Sequence, residues 1–572
     1  LLFLAKKLFV KSNNEISDLF SFYAFLLELH NENEFKVKSY HSAVFKIDKM
    51  PSNIAELTAE QIRKSFGKST AEQVLEILDK GTFSALDQLL AQTPEGILKM
   101  AKIKGLGAKR LRMLWQEAGI DSPEALSKAC EEDKIAQIKG FGEKMQETIK
   151  NSLLFIKLNS DKLLYADAEP IALQLEQMLQ QNPLIEHYSF VGEWRRAMEV
   201  IDILSILVQT THLRQIHEFL NACDWLEALP VQSGVYVWRG KVRNMPLKVE
   251  VHLAHKDNFG NQLFLLSASP KHLAFVAGKE TLLQIAQKQA VSEEKAIYLQ
   301  AGLPYLPPEI REGQFEFSLT QTPTLIELKD LKGTLHNHSS YSDGKHSILQ
   351  MAQAAQKMGF EYFGVTDHSQ SAYYANGLTE RRVLAQQYEI DEIHSQYPNL
   401  CVFKGIEADI LSNGDLDYPV EFLKNFDFVV ASIHSNLEMN ETRATERMIK
   451  AIENPYTTII GHPTGRLLLR RNGYPLNMSK IIDACAANEV VLELNAHPLR
   501  LDLDWRWIHR ALEKDVKISI NADAHDTEGL RYHRFGVLVA RKGGLTPQMC
   551  LNCMDKNAIQ AFFAKKSGKR LT

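Results

Sequence analysis

Seven short apolar runs toward the C-terminal end of the sequence, each closing on a histidine or a carboxylate, limit the possible folds more than any other feature. In order they are Leu331–His338, Tyr362–His368, Cys401–Glu407, Phe428–His434, Thr457–His462, Val490–His497 and Val516–His525. Stretches with helical spacing lie between them, such as Ser347–Met358 and Arg443–Glu453. Strand-like and helix-like segments in alternation predict parallel strands joined by helical crossovers. In a parallel α/β barrel the C-terminal strand ends meet at one mouth, where active sites form. The pattern therefore predicts a mouth crowded with imidazoles and carboxylates, which is the chemistry of a metal site.

The donors can be named. His336 and His338 stand two apart, so on a strand both leave the same face and can grip one ion. Asp343 follows in a loop, His368, Glu407, His434 and His462 come from the next four strand ends, and Asp523 with His525 forms a second same-face pair. Nine N/O donors are too many for one ion of coordination ~4–6. The set predicts two or three divalent ions, with a carboxylate such as Glu407 bridging. It contains no thiolate, so Mn, Zn or Fe suits it better than a soft metal. Any one of these histidines alone is better read as a core or surface residue with a local hydrogen bond. Nine together are not. Arg466, just after the His462 run, and Arg500 are candidates for gripping a phosphate, with ordinary surface ion pairs as the bland alternative.

The N-terminal third reads as helical. Glu15–Leu29 carries an apolar stripe, and Phe35–Ile47 interleaves Lys36, Lys38 and Lys46 with aromatics, a pattern that suits a solvated helix face. Two segments then share a form, Ile103–Leu114 and Ile138–Ile149. Each places Gly-x-Gly before a helix start, at Gly105/Gly107 and Gly140/Gly142, with Lys109, Arg110 and Lys144 nearby. Glycines allow a tight turn that aims backbone N–H groups at a phosphate. This is the helix–hairpin–helix pattern, and its repetition predicts sequence-independent DNA binding.

Composition sets outer limits. A chain of 572 residues should hold several domains, and 45% hydrophobic with 24% charged residues is ordinary for globular protein. A net charge of −4 requires any DNA surface to be local. Six cysteines in so long a chain suit a reducing compartment, and a cytoplasmic location is expected. Cys550 and Cys553 form a lone C-x-x-C in what reads as helix, better explained by packing than by metal. The opening LLFLAKKLFV is apolar but short, and reads as an unusual start or untrimmed leader rather than a secretion signal. No run approaches the ~18 apolar residues of a membrane span.

The motifs LHNHSSYSDG, VTDHS, GIEADI, ASIHS, GHPTGR and NADAH resemble those of the PHP (polymerase and histidinol phosphatase) superfamily, specifically the C-terminal PHP domain of bacterial family X DNA polymerases. The resemblance extends to ANGL, LDYP and NAHPLRLDL and covers essentially the whole C-terminal region. It implies a (β/α)7 barrel with a multinuclear centre that hydrolyses phosphoesters, whose ligands fall on the nine positions named above. The N-terminal region is similar to the lyase domain and hairpin modules of the same polymerases. Their Schiff-base lysine falls at Gln73, with Lys68 off the matched position, and an amide cannot form an imine with an abasic sugar.

Residues 165–320 resemble the palm and thumb of these polymerases, an α+β nucleotidyltransferase-like fold. In VGEWRRAMEVIDILSIL, Gly192, Arg195, Arg196 and Glu199 match the family motif, but Glu193 replaces its phosphate-binding serine. The two metal-binding aspartates of the motif fall at Ile203 and Ser205, and the third carboxylate position holds Glu250. Asp202 is one residue off, on the opposite face of a strand. The aromatic-Thr-Gly-Ser nucleotide stretch has become LLSAS. Two-metal phosphoryl transfer needs carboxylates to hold its ions, which Ile and Ser cannot do. A Pro-rich segment, Gly302–Gly313, reads as a joint to the barrel.

The expectation is a multidomain protein: a helical lyase-like domain (1–95), a helix–hairpin–helix region (96–160), a palm and thumb-like domain (161–320) and a PHP barrel (321–572). Its expected activity is metal-dependent hydrolysis of DNA phosphoesters, 3′–5′ exonuclease or 3′-end processing in repair, by a metal-bound hydroxide, with the polymerase site degenerate. Gapped, nicked or 3′-ended DNA is the expected partner and a monomer the expected state. The alternatives are an active family X polymerase, against which Ile203 and Ser205 speak, and a small-molecule PHP phosphatase, against which the two hairpin motifs speak. A non-enzymatic DNA-binding adaptor is disfavoured by the complete donor set.

Overall fold

A computed structural model describes residues 13–48, 50, 53–101, 103 and 105–567. The apolar opening segment, residues 1–10, lies outside the described residues. The chain divides into two compact units, 1–160 and 161–572.

The first unit is helical. In Asn13–Leu29 the apolar stripe buries Ile16, Phe20, Tyr23 and Leu27, and Glu34–Asp48 folds back on it. Tyr40 and Phe83 pack edge-on and tilted against Phe20 and Tyr23, with ring centroids 4.8–5.6 Å apart. The lysines of the second helix stay outside: Lys36 pairs with Glu32, while Lys38 and Lys46 lie over the rings of Phe35 and Phe66. Gln73, at the lyase-lysine position, accepts a hydrogen bond from the Tyr40 hydroxyl at 2.9 Å.

The second unit opens with a five-stranded sheet. Its strands are β1 (His187–Val191), β2 (Ile203–Gln209), β3 (Leu226–Ala228), β4 (Val237–Val242) and β5 (Lys248–Ala254), in the order β1-β2-β5-β4-β3. Only the central β2–β5 pair is parallel, and it sets Ile203 opposite Lys248 and Ser205 opposite Glu250. Short helices from Phe259 to Gln300 follow around their own core of Phe264, Leu282, Ile297 and Tyr298. The Pro-rich segment is not a free joint. Leu306, Ile310 and Arg311 are buried in that core, and Arg311 pairs with Glu294 at 2.8 Å while its ring neighbours are Phe264, Tyr298 and Tyr305.

Seven parallel strands build the remainder: β6 (Gly333–Thr334), β7 (Tyr362–Val365), β8 (Val402–Asp409), β9 (Phe428–Ser432), β10 (Thr457–Ile460), β11 (Val491–Asn495) and β12 (Ile518–Asn521). They pair strictly in chain order. The circle nearly closes where Asn337 bridges Ala524 and His338 N–H donates to the Ala524 carbonyl at 2.9 Å. Nearly every strand residue is buried, as expected when helices cover one face and the barrel interior the other. The crossovers include Ile348–Lys357, Glu380–Gln396, Glu441–Ile452 and Met478–Ala487, each with an apolar face on the barrel. All strands run the same way, so their C-terminal ends share one mouth.

All six cysteines are free. The C-x-x-C lies in 3-10 turns around Leu551–Cys553 rather than in an α-helix, because the segment turns to cap the barrel bottom through Asn552. No helix among the described residues is long and apolar enough to cross a membrane.

Candidate metal centre

The mouth of the barrel gathers all nine sequence-selected donors. Glu407, wholly buried at the end of β8, is at the middle. Its Oε1 lies 3.3 Å from His336 Nε2, 3.2 Å from His434 Nε2 and 3.0 Å from His462 Nε2. Its Oε2 lies 2.9 Å from His368 Nδ1 and 3.7 Å from His338 Nε2. Asp523 Oδ1 approaches His338 Nε2 at 3.1 Å and His336 Nε2 at 3.7 Å. On the outer side Asp343 Oδ2 is 3.4 Å from His525 Nε2 and 3.6 Å from His368 Nε2. Four overlapping groups of three or more donors result, each with ligand atoms within 4.8 Å of one another.

Five buried atoms of this set meet no partner in hydrogen-bonding geometry, close as some lie to one another: His336 Nε2, His338 Nδ1, His368 Nδ1, Glu407 Oε2 and His462 Nδ1. A buried polar atom left unpaired costs about 1–3 kcal/mol. So dense a set of imidazole and carboxylate atoms with open valence fits divalent cations of the Zn, Mn or Fe type. The backbone is strained here as well. His462 (φ 24°) and Asp523 (φ 51°) both occupy the left-handed region, which costs about 1–3 kcal/mol each and persists where the surroundings over-determine it.

Charge is shared unevenly among the ion-free side chains. Burial works against ionising His434, yet Glu407 and Asp409 outweigh it and hold the imidazole up at about 10. His525 is likewise lifted to about 9 against burial by Asp343 and Asp523. Burial, aided by His525 and His368, pushes His338 down to about 3. Glu407 and Asp523 stay well below the carboxylate range despite their burial, because imidazoles surround them. Protons on some imidazoles thus supply the positive charge that the carboxylates demand, and cation binding would displace them.

The residues that aim these donors escaped the sequence reading. Glu493 on β11 accepts from His336 Nδ1 at 2.7 Å and from the His462 backbone N–H at 2.5 Å, turning His336 Nε2 toward Glu407. Asp409 takes His434 Nδ1 in the same way. Asp367 gathers the backbone N–H of Ser339 and Ser342, both their hydroxyls, and Gln386 Nε2, fixing the loop after His338. Such carboxylates set the tautomer and direction of ligating histidines. Asp409 stands on β8 two residues after the donor Glu407, and that spacing was the available signal, whereas Glu493 on β11 has no donor at that spacing. His497, the end of its run, joins no donor group and accepts instead from the Leu499 N–H at 3.2 Å.

The two arginines selected as phosphate grips part company. Arg500 Nε lies 3.6 Å from Asp523 Oδ2, at the edge of the donor set. Arg466 faces away. Its guanidinium is taken up by Asp504 (2.7 Å), Glu199 (2.5 Å) and the carbonyls of Arg500 and Leu501. The expectation that Arg466 grips phosphate is corrected on that ground: it has an ion-pair partner on each side and no donor aimed at the mouth.

In the middle sheet, Gly192 (φ 63°) starts a short helix whose position would bring a Cβ within 3.4 Å of Ser205. Glu193 accepts from the backbone N–H of Asp202 and Ile203. Asp202 lies 3.5 Å from Lys248 Nζ. Glu250 is engaged by Arg239 at 2.6 Å and His252 at 3.2 Å, and the hydrogen bond from His252, opposed by burial and aided by Arg239, holds it down at about 2. Arg195 pairs with Glu294, and Arg196 with Glu312. Among the described residues this sheet offers no group of three metal donors.

In the first unit, Gly105, Gly140 and Gly142 take φ values of 86°, 91° and 70°, which an L side chain rarely adopts. Gly107 caps the helix Ala108–Arg112, and Gly142 begins Gly142–Asn159. Lys109 and Lys144 are exposed, whereas Arg110, half-buried, donates to the Gly105 carbonyl at 2.8 Å.

Comparison with known proteins agrees with this architecture. The PHP domain family matches residues 334–497, the helix-hairpin-helix domain family residues 11–83, and the SAM-like helix-hairpin-helix tandem family residues 97–153. The chain is 34% identical to the DNA polymerase/3'-5' exonuclease PolX of Bacillus subtilis (strain 168) over 556 residues, 95% of this chain and 97% of that protein. The chain is 28% identical to a "Probable phosphatase" of Thermoanaerobacter sp. (strain X514) over 255 residues, 41% of this chain and 95% of that protein. A "Probable phosphatase" of Acetivibrio thermocellus is 32% identical over 169 residues, 28% of this chain and 64% of that protein.

Proposed function

The chain belongs to the bacterial PolX family of DNA polymerases carrying helix-hairpin-helix and PHP domains, a metal-dependent hydrolase by its PHP homology, and from that premise we propose that its chemistry resides in the barrel. The reaction is 3′–5′ exonucleolytic cleavage of DNA, with trimming of blocked 3′ ends as a further use of the same site. The middle sheet is a polymerase palm without its catalytic acids. What carries this reading is a contrast: nine donors, Glu407 among them, gather at the barrel mouth with five buried atoms unpaired, while Ile203 and Ser205 stand where synthesis needs carboxylates.

His336, His338, Asp343, His368, Glu407, His434, His462, Asp523 and His525 would hold two or three divalent ions, of Mn, Zn or Fe. Bound there, such ions lower the pKa of water toward neutrality and neutralise phosphoryl charge. The rest is done by the chain itself. Glu493 and Asp409 fix the tautomers of His336 and His434. Arg500, beside Asp523, presents a planar fork suited to a phosphate. The backbone turns at Gly105/Gly107 and Gly140/Gly142 hold the DNA backbone without reading its sequence.

The test is digestion of a 5′-labelled oligonucleotide with a free 3′ hydroxyl by the full chain, with and without Mn²⁺. Stepwise shortening from the 3′ end that needs the ion is expected. Hydrolysis of small phosphomonoesters with no cleavage of DNA would replace the reading with that of a small-molecule phosphatase.

A further inference from the structure

The three charged residues that match the palm motif, Arg195, Arg196 and Glu199, are present although its two aspartates are not. Two of them reach the barrel. Lys542, on the barrel helix His533–Lys542, donates to the Arg196 carbonyl at 3.0 Å, and Glu199 meets Arg466 at 2.5 Å. Glu199 and Arg466 are 8% and 13% exposed, so this pair is well shielded from water and screening.

Arg466 is the hub of that contact. It follows the donor His462 by one turn of chain, in which Thr464 N–H is held by the Asp502 carboxylate. Its Nε donates to the Arg500 carbonyl at 3.0 Å, and its Nη2 donates to the Leu501 carbonyl. Leu501 has φ 40°, a left-handed conformation that leucine does not hold unaided. The loop bends back so that Asp502 bridges Asn495, and Asn495 Nδ2 donates to Asp523 Oδ2 at 3.0 Å. The same Asp523 oxygen is the one that Arg500 Nε approaches at 3.6 Å.

We propose that Glu199 is a positioning residue of the barrel centre: by orienting Arg466 it fixes the carbonyls of Arg500 and Leu501, and so aims the Arg500 guanidinium at the phosphate-binding edge beside Asp523. The retained motif serves the hydrolytic site from outside the barrel. This rests on the reading of Arg500 as a phosphate grip, and the experiment separates the two.

The full-length, Mn²⁺-loaded chain is titrated calorimetrically with inorganic phosphate in four forms: parent, Glu199→Gln, Arg500→Ala and the double variant. Arg500→Ala is expected to weaken phosphate binding about tenfold or more, and Glu199→Gln by about tenfold, the double variant being no weaker than Arg500→Ala alone. Glu199→Asp should recover most of the loss, which a merely structural effect on the fold would not predict. A second variant, Glu199→Leu with Arg466→Met, replaces the buried pair with packed apolar groups, a change such sites often tolerate. It should fold and show the same weakening. Unchanged phosphate affinity in Glu199→Gln and in the apolar pair overturns the proposal. So does a loss that adds fully to that of Arg500→Ala. Should Arg500→Ala itself leave affinity untouched, the phosphate-grip reading fails first and the positioning role falls with it.

Discussion

The five-stranded sheet with the segments that follow it and the seven-stranded barrel both hold acids out of full contact with water, and they treat charge in opposite ways. In the sheet, Glu250 is satisfied by Arg239 and His252; in the segments that follow it, Glu294 is satisfied by Arg195 and Arg311, and Glu312 by Arg196 and Lys542. In the barrel, Glu407 and Asp523 face imidazoles whose buried atoms remain unpaired. An acid already neutralised by its own chain is architecture. A cluster of acids and imidazoles that leaves its valence open is a binding site. The two regions of one molecule therefore show what separates a carboxylate that holds a fold together from one that holds an ion.

The largest effect should come from emptying the barrel. His336→Ala with His338→Ala removes both histidines from one donor group and one from each of two others, and phosphoester hydrolysis is expected to fall by about a thousandfold or more, several kcal/mol of barrier. Elemental analysis should find bound metal lost, and circular dichroism should find the helical first unit intact. DNA cleavage at the parent rate would place the chemistry elsewhere and dissolve the contrast.

Next in size is an acid that touches no ion. Glu493→Gln removes the charge that orients His336 and His462. Metal affinity is expected to drop about 10–100-fold, the usual cost of losing such a partner. Competition with a chromogenic chelator measures it. An unchanged affinity would mean that the donor geometry is held by the barrel alone.

Much of this was legible in the sequence, and the reason is local. Strand alternation places His336 with His338 and Asp523 with His525 on common faces, so short-range spacing alone reveals donors. The resemblance to the family X palm motif, rather than spacing, singled out Ile203 and Ser205. What stayed hidden depends on distant partners. Arg466 looks like a phosphate grip until Glu199, 267 residues away, takes its guanidinium. The Pro-rich segment looks like a joint until Arg311 is seen buried against Glu294. Glu493 reads as an ordinary strand residue because its role is to a neighbour's imidazole rather than to an ion.

The seam between the two regions offers a smaller, pH-dependent effect. Burial pushes the Lys542 ammonium down to about 8, against the pull of Glu312. The folded chain thus binds fewer protons than the unfolded chain between about 8 and the ordinary lysine value of about 10.5. Stability conferred by this group is fully present above that upper value and fades as pH falls through about 8. Relative to Lys542→Met, the parent should gain on the order of 2–3 kcal/mol on going from pH 8 to 10.5, read by chemical denaturation. A flat difference across that window would show that the lysine is not desolvated.

The smallest effect is expected from trying to make the sheet resemble the barrel. Ile203→Asp with Ser205→Asp adds two acids beside Glu250, but Arg239 and His252 already hold Glu250, and Glu193 occupies the phosphate-binding serine position. Primer extension should stay near background, within about tenfold of the parent. A large gain would mean that only those two side chains had been missing.

The central claim, hydrolysis in the barrel and no synthesis in the sheet, meets its most direct test on one substrate. A gapped duplex with a 5′-labelled primer is incubated with Mg²⁺, Mn²⁺ and all four deoxynucleoside triphosphates, with the parent and with the His336→Ala, His338→Ala variant. The parent is predicted to shorten the primer from its 3′ end, and the variant to leave its length unchanged. Template-directed extension by the variant, where no exonuclease can mask synthesis, would contradict the account.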